Sequence, residues 1–268
     1  METDLQQIRI ARVLIISLLF IGLTVMVANF LGKNVATVTT DFLFLPIAGC
    51  LFVLAVIILI RFKVKGQLGR AYLFFACFAA SWFAAEVVWS ISEIFDHLNP
   101  FPSLDDFLYL FGYPFLILFS FYYLRPVETA VSKKILAYAA LATTTFIVPT
   151  FYVMYSYNHN ATFNEIIWAG IYPLTDAVLL FPAVIGMMLF FKGNVSLLWS
   201  LMFFAILLNI TADSGFFYLH VDRSYYSGNP IDIFYLWSYV LFSFGLYSHI
   251  KLFKKPKMKS YGNVDELR

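Results

Sequence analysis

The 268-residue sequence predicts an all-α integral membrane protein, a bundle of eight transmembrane helices built as two parallel four-helix repeats. Three observations carry that expectation. Hydrophobic residues make up 61% of the chain and charged residues only 13%, against roughly 25% charged in a soluble domain, and the mean hydropathy is +0.80. The apolar residues fall in runs of about 20, the length that crosses the hydrocarbon core as a helix. Lys and Arg collect on alternate connections, as they do between spans of fixed topology. This composition excludes a water-soluble globule, which needs more charge for its surface, and a disordered chain, which needs low hydrophobicity. A formal net charge of +2 gives no basis for nucleic-acid binding; the expected solvent partner is the lipid bilayer.

The first run, 13–31, follows Arg9 and Arg12. It exceeds the ~7–15 apolar residues of a signal-peptide core and reads as a permanent span. The second, 42–60, ends at Arg61, Lys63 and Lys65; the mildly polar stretch 35–40 also allows a start near Val35. The third, 71–95, begins after Arg70, and the fourth, 107–124, runs from Asp106 to Arg125-Pro126. The fifth, 135–155, follows Lys133-Lys134, and the sixth, 166–191, stops at Lys192. The seventh, 195–219, closes before His220, and the eighth, 233–250, lies between Asp232 and Lys251. Helices are required because backbone amides in hydrocarbon must be satisfied within the segment or by a closed barrel. Barrel strands would be ~10 residues of strict alternation, unlike these uniformly apolar runs.

All of the 18 Lys and Arg except Lys33 and Arg223 lie on one side of this topology. That places the chain in the cell (cytoplasmic) membrane, multi-pass, with both termini cytoplasmic. The acids show the reverse bias: all but Glu2, Asp4, Glu128, Asp265 and Glu266 lie in outer connections or the outer halves of helices. The chain is a single polytopic domain, 1–268, with repeat halves at about 1–130 and 131–255 and a short basic tail at 251–268. The tail's lysines read as a stop-transfer anchor, or as a contact for anionic lipid or a partner. Cys50 and Cys77 fall at different depths and read as small apolar residues, not as a disulfide.

The repeat rests on ordered polar residues. Asp106, Tyr109, Leu110 and Tyr113 form D-x-x-Y-L-x-x-Y, and Asp232, Tyr235, Leu236 and Tyr239 repeat it 126 positions later. Glu86 matches Asp213 at an offset of 127, and Thr40-Asp41, followed by Pro46, matches Thr175-Asp176, followed by Pro182, at an offset of 135 for the Thr–Asp pair. Four spans per half give both halves one orientation, related by an axis along the membrane normal.

Glu86, Asp176 and Asp213 sit well inside predicted spans, where a carboxylate costs roughly 2.5–3.5 kcal/mol. No Lys or Arg lies in a span core to neutralise them, which leaves a bound proton, neighbouring hydrogen bonds, or a cationic ligand. Residues at i, i+3 and i+4 share a helix face. Trp82, Glu86 and Trp89 thus form one stripe, Asn209, Asp213 and Phe217 a second, and Trp168, Tyr172 and Asp176 a third beside the helix-loosening Pro173. Asn209 is placed to hydrogen-bond Asp213. Asp106 and Asp232 start their helices, where they complement the positive helix end, with Tyr109 and Tyr235 one turn deeper. Two readings follow. In one, these side chains line an outward-facing acidic and aromatic cavity that takes a cation, a proton or a small polar ligand. In the other, the acids are neutral or hydrogen-bonded and lock helix packing, Asp106 and Asp232 are caps, and the Tyr and Trp form an interfacial belt.

Other signals are weaker. His97, His159 and His220 lie near the outer face with Glu93, Asp96 and Asp222, but no zinc-ligand spacing accompanies them and no metal is expected. His249, at the inner boundary, reads as an interfacial residue. Asn160-Ala161-Thr162 is a glycan acceptor pattern in an outer connection. No nucleophile elbow, P-loop or dinucleotide fingerprint is present, the last predicted span has no lysine for a retinal Schiff base, and no cofactor is expected.

Pro102-Ser103-Leu104-Asp105-Asp106-Phe107-Leu108-Tyr109-Leu110-Phe111-Gly112-Tyr113-Pro114 resembles the PSxxDxxYLxxYP signature of uncharacterised multi-pass membrane modules. These are fused in bacteria to diguanylate cyclase, phosphodiesterase or histidine kinase domains, with free-standing archaeal versions. Tyr172-Pro173-Leu174-Thr175-Asp176 resembles their YPxxD element, and Asp213 and Asp232 fit the final helix pair. The resemblance implies a sensory input role. The chain ends about 18 residues after the last predicted span, so a signal is expected to pass to a membrane or cytoplasmic protein partner. Three functions therefore stay open: a non-enzymatic sensory or ligand-binding module, a proton- or cation-coupled small-solute transporter, and an accessory subunit of a membrane complex. A hydrolase has the least support.

Overall fold

The computed structural model describes residues 2–94, 101–156, 162–191 and 195–252. Eight helices account for nearly all of it: α1 (Glu2–Leu31), α2 (Lys33–Phe62), α3 (Gly66–Ile94), α4 (Leu104–Leu124), α5 (Lys133–Ser156), α6 (Phe163–Phe190), α7 (Ser196–Val221) and α8 (Asp232–Leu252). A 3₁₀ turn at Arg125–Ala130 follows α4. All eight helices are long and apolar enough to cross a membrane, and the described residues contain no strand. Expected and observed spans agree in number and order. Two helices start well before their apolar runs: α1 at Glu2, and α2 at Lys33, close to the earlier start near Val35. The polar start of α2 does not break the helix because Thr40 donates back to the Ala36 carbonyl at 2.8 Å and Thr37 to the Ser227 carbonyl at 2.6 Å. The expected features at Asp96, His97, His159, Asn160 and Lys192, and the tail beyond Leu252, lie outside the described residues.

Six helices close a ring in the order α2, α3, α4, α6, α7, α8, with α8 returning to α2. α1 packs outside α2 and α8, and α5 packs outside α6. These two outer helices present exposed Ile16, Leu19, Leu23, Leu141, Val148 and Phe151, the surface that a bilayer solvates. The α1–α2 corner, the starts of α4 and α8 and the α7–α8 connection lie at one end of the ring, which we term the acidic end; the opposite end is the basic end.

At the basic end the ring is filled. Tyr72, Phe75, Phe78, Phe119, Trp199 and Phe242 are almost fully buried; some pairs meet edge to face, as Phe75 with Phe119 at 5.0 Å and Phe78 with Phe242 at 5.7 Å between centroids, while Trp199 stacks on Phe119. Without a hydrophobic drive between helices in lipid, this van der Waals packing carries much of their association. His249 belongs to the same plug. It is not interfacial: it is buried, with Nδ1 at 2.7 Å from the Tyr72 hydroxyl and Nε2 at 3.0 Å from that of Tyr123. Its nearness to Lys251 in sequence concealed that its helix face turns inward. Cys50 and Cys77 are free thiols.

The α7–α8 connection is clasped to the α1–α2 corner. Tyr226 donates to Asn29 Oδ1 at 2.7 Å, Asn29 Nδ2 donates to the Gly228 carbonyl at 2.7 Å, and Lys33 Nζ lies 4.6 Å from the Tyr226 ring. Gly228 has φ +84°, and a Cβ there would meet the Ala36 carbonyl carbon at 2.4 Å. Gly228→Ala is therefore expected to cost about 2 kcal/mol from backbone strain and overlap. A lowered thermal unfolding midpoint of the detergent-solubilised protein checks it.

Candidate functional site

The ring opens into a cavity of about 100 Å³ toward its acidic end, room for a few waters or a small molecule. α3 supplies Trp82, Glu86 and Trp89, one helix face at i, i+4 and i+7. α4 supplies Asp105, Asp106, Tyr109 and Tyr113; α8 supplies Asp232, Tyr235 and Tyr239; α2, α6 and α7 add Phe44, Tyr172, Asn209, Asp213 and Phe216. Tyr225 and Ser227 of the α7–α8 connection complete the rim. The aromatic plug begins directly beneath, where Phe78 meets Trp82 at 4.5 Å.

Tyrosine hydroxyls satisfy most of the acids. Tyr239 donates to Glu86 Oε1 at 2.7 Å. Tyr235 donates to Asp213 Oδ1 at 2.5 Å, and Tyr113 to Asp213 Oδ2 at 3.1 Å. Tyr172 donates to Asp106 Oδ1 at 2.6 Å, while Asp106 Oδ2 caps α4 by accepting the Ser103 backbone N–H at 2.6 Å. Asp232 caps α8 similarly, taking the Gly228 N–H at 2.8 Å and the Tyr225 hydroxyl at 3.2 Å. Burial and the Asp232 charge push the Tyr225 phenol well above its usual value, so it remains a donor. Asp105 accepts from the Ser103 hydroxyl.

Asp176 lies deeper, 1% exposed and behind Asn209. The Asn209 amide nitrogen reaches both of its oxygens, at 3.1 and 3.0 Å, and Asp213 Oδ2 at 3.5 Å. One amide thus bridges two carboxyl groups from neighbouring helices. Among the described residues, Arg223 with Glu165 at 2.9 Å is an ion pair at the exposed rim, remote from this network.

Of the ten sequence-predicted site residues, Glu86, Trp89, Asp106, Tyr109, Tyr172, Asp213, Asp232 and Tyr235 line the cavity. Asp176 adjoins it through Asn209. Trp168 does not line it and instead packs edge-on against Phe107 at 5.0 Å. Each i+4 step drifts about 40° around a helix, so two steps carry Trp168 away from the Asp176 face. Sequence reasoning did not select Phe44, Asp105, Phe216, Tyr225 or Ser227, and took Tyr113 and Tyr239 only as motif members. The two tyrosines end both copies of D-x-x-Y-L-x-x-Y, a signal that was available; Tyr225 and Ser227 had none, because a short connection brings them in.

Among the described residues Asp41 is a buried acid, 1% exposed, with both carboxyl oxygens unpartnered. No three His, Cys, Asp or Glu side chains among those residues converge tightly enough to hold a metal ion.

No protein-family model matches this chain, and no curated protein or solved structure shows significant similarity to it.

Proposed function

We propose that this chain is a multi-pass protein of the cell membrane, both termini cytoplasmic, that binds a small cationic ligand in the acidic and aromatic cavity. One observation carries the reading. Among the described residues the cavity wall holds five carboxyl side chains, Glu86, Asp105, Asp106, Asp213 and Asp232, and no Lys, Arg or His. Such a wall attracts positive charge, and Trp82, Trp89, Tyr109 and Tyr239 offer ring faces for a cation at the same place. The packed basic end supports a one-sided binding site over an open pore. The sequence resemblance to sensory modules supports a role in which ligand occupancy is passed to a protein partner.

The two-repeat architecture belongs to the same proposal. α2 packs on α8 and α4 packs on α6, contacts that exchange if α1–α4 correspond to α5–α8. Tyr113 donating to Asp213 and Tyr239 donating to Glu86 exchange in the same way, since Tyr113 matches Tyr239 and Glu86 matches Asp213. This supports a two-fold axis through the cavity. It also favours a second reading, a transporter in which Asp176 and Asp213 carry protons or cations at the repeat interface.

A thermal-shift screen of primary, quaternary and inorganic cations tests the first reading. Butylamine is expected to raise the unfolding midpoint, and Glu86→Gln and Asp213→Asn each to reduce that shift. Equal shifts in wild type and both variants contradict the site. Uptake of the same amine into proteoliposomes under an imposed pH gradient favours transport; binding without uptake favours the sensory module.

A further inference from the structure

We propose that Asp41 anchors a second cationic subsite beside Glu86, so that the cavity selects an organic dication, a short diamine, over a monoamine. This deepens the cationic-ligand reading and rests on it.

The argument begins with what Asp41 lacks. In the repeat correspondence Asp41 matches Asp176, and Trp82 matches Asn209 at the offset that relates Glu86 to Asp213. In the second half the Asn209 amide holds both Asp176 oxygens. In the first half the equivalent donor is gone: the Trp82 indole N–H goes to the Tyr109 carbonyl at 3.1 Å. Asp41 is buried to the same degree as Asp176 and keeps two bare oxygens. A buried carboxyl group with no donor is rare and costly, and the missing donor must come from outside the described residues.

The surroundings define that donor. The charged groups acting on Asp41 are Glu93, Glu86 and Asp232, all acids. Glu93 Oε2 and Ser90 Oγ, on the same α3 face as Glu86, are likewise without hydrogen-bond partners. On α2, Phe44 lies one turn beyond Asp41, lines the cavity and meets Tyr239 at 6.2 Å. Asp41 thus lies behind the lining itself, one turn from Phe44 and close to Glu86 and Asp232, which do line the cavity. Among the described residues four acids share this region without a basic partner, which calls for more than one positive charge.

The charge is spread rather than focused. Among the described residues no three acids gather as metal ligands, and aromatic rings line the same cavity as the carboxyl groups. Two ammonium groups joined by methylenes match that layout. One would take Glu86 among the rings of Trp89, Tyr109 and Tyr239, the other Asp41 with Glu93. The methylenes would pass Phe44, and each ammonium brings three donors to oxygens that lack them.

The test is titration of the protein in nanodiscs with butylamine and with α,ω-diamines of three to six carbons, followed by calorimetry. The best diamine is expected to bind at least tenfold more tightly than butylamine. Asp41→Asn should abolish that advantage while leaving butylamine affinity within twofold, and Glu86→Gln should weaken both. Asp41→Asn should also raise the unfolding midpoint of the unliganded protein; Asp41→Ser provides a second variant with the same expected loss of diamine preference. Diamines no tighter than butylamine, an equal loss for both ligands in Asp41→Asn, or full competition by Na⁺ or Mg²⁺ at equal concentration would overturn the subsite. Absence of binding by any amine would overturn the underlying cationic-ligand reading as well.

Discussion

Asn209→Leu is expected to destabilise the protein by about 3 kcal/mol, lowering the unfolding midpoint by roughly 6–12 °C. Leucine keeps asparagine's branched heavy-atom skeleton at this 4%-exposed position, although its two methyl groups are bulkier than the amide. What is lost is the amide that reaches Asp176 and Asp213 together. Removing a donor from a buried group costs more than the mean worth of a hydrogen bond, because the acceptor is left bare. Here two buried carboxyl groups are left facing each other without the amide between them. Asp176→Asn in the Asn209→Leu background should recover at least half of the loss, since the new amide brings its own donors. Recovery separates the missing-donor account from simple misfolding; a double variant as unstable as the single one would contradict it.

Gly186→Ala carries the second large effect. An added Cβ would lie 1.9 Å from Trp199 Cε3 and 2.3 Å from Cζ3. The indole cannot step aside. It is buried in the plug, 5.2 Å from the Tyr123 ring and stacked on Phe119 at 6.2 Å and Phe190 at 6.0 Å. Overpacking of this kind costs about 3 kcal/mol at the upper end of its usual range. Trp199→Phe should relieve much of it in the double variant, because the two sites share one overlap. A thermal melt of the four proteins gives the coupling directly, and additive losses would show that the overlap is relaxed elsewhere.

Much of the fold was legible because length and hydropathy dictate it. Eight apolar runs became eight helices, and the disagreements lie at polar ends such as 33–41, where the Thr40 hydroxyl bonds back into the helix and that of Thr37 reaches the Ser227 carbonyl. The site was legible in its acids, since Glu86, Asp213, Asp106 and Asp232 are conspicuous in so apolar a chain and all reach the cavity. It was less legible in its aromatics. With 31 Phe, 17 Tyr and 5 Trp, period alone did not separate Tyr113 and Tyr239, which bond the acids, from Trp168, which faces Phe107. His249 and Tyr225 depend on which face of a helix, or which connection, turns inward, and that is a property of packing between distant segments. Asp41 appeared in the sequence only as half of a repeat match; that it has no donor is visible only once Trp82 is seen to be engaged with Tyr109.

The carboxyl groups of this bundle are held mainly by tyrosine and asparagine donors, with no basic side chain among the described residues of the cavity wall, and that imbalance is the central claim. Calorimetric titration of butylamine into nanodisc-embedded wild type and into the Glu86→Gln, Asp176→Asn, Asp213→Asn triple variant tests it most directly. The account predicts a single saturable site in the wild type and an affinity at least 100-fold weaker in the triple variant, about 2.7 kcal/mol. The same affinity in both proteins, or no saturable heat in the wild type, would contradict it.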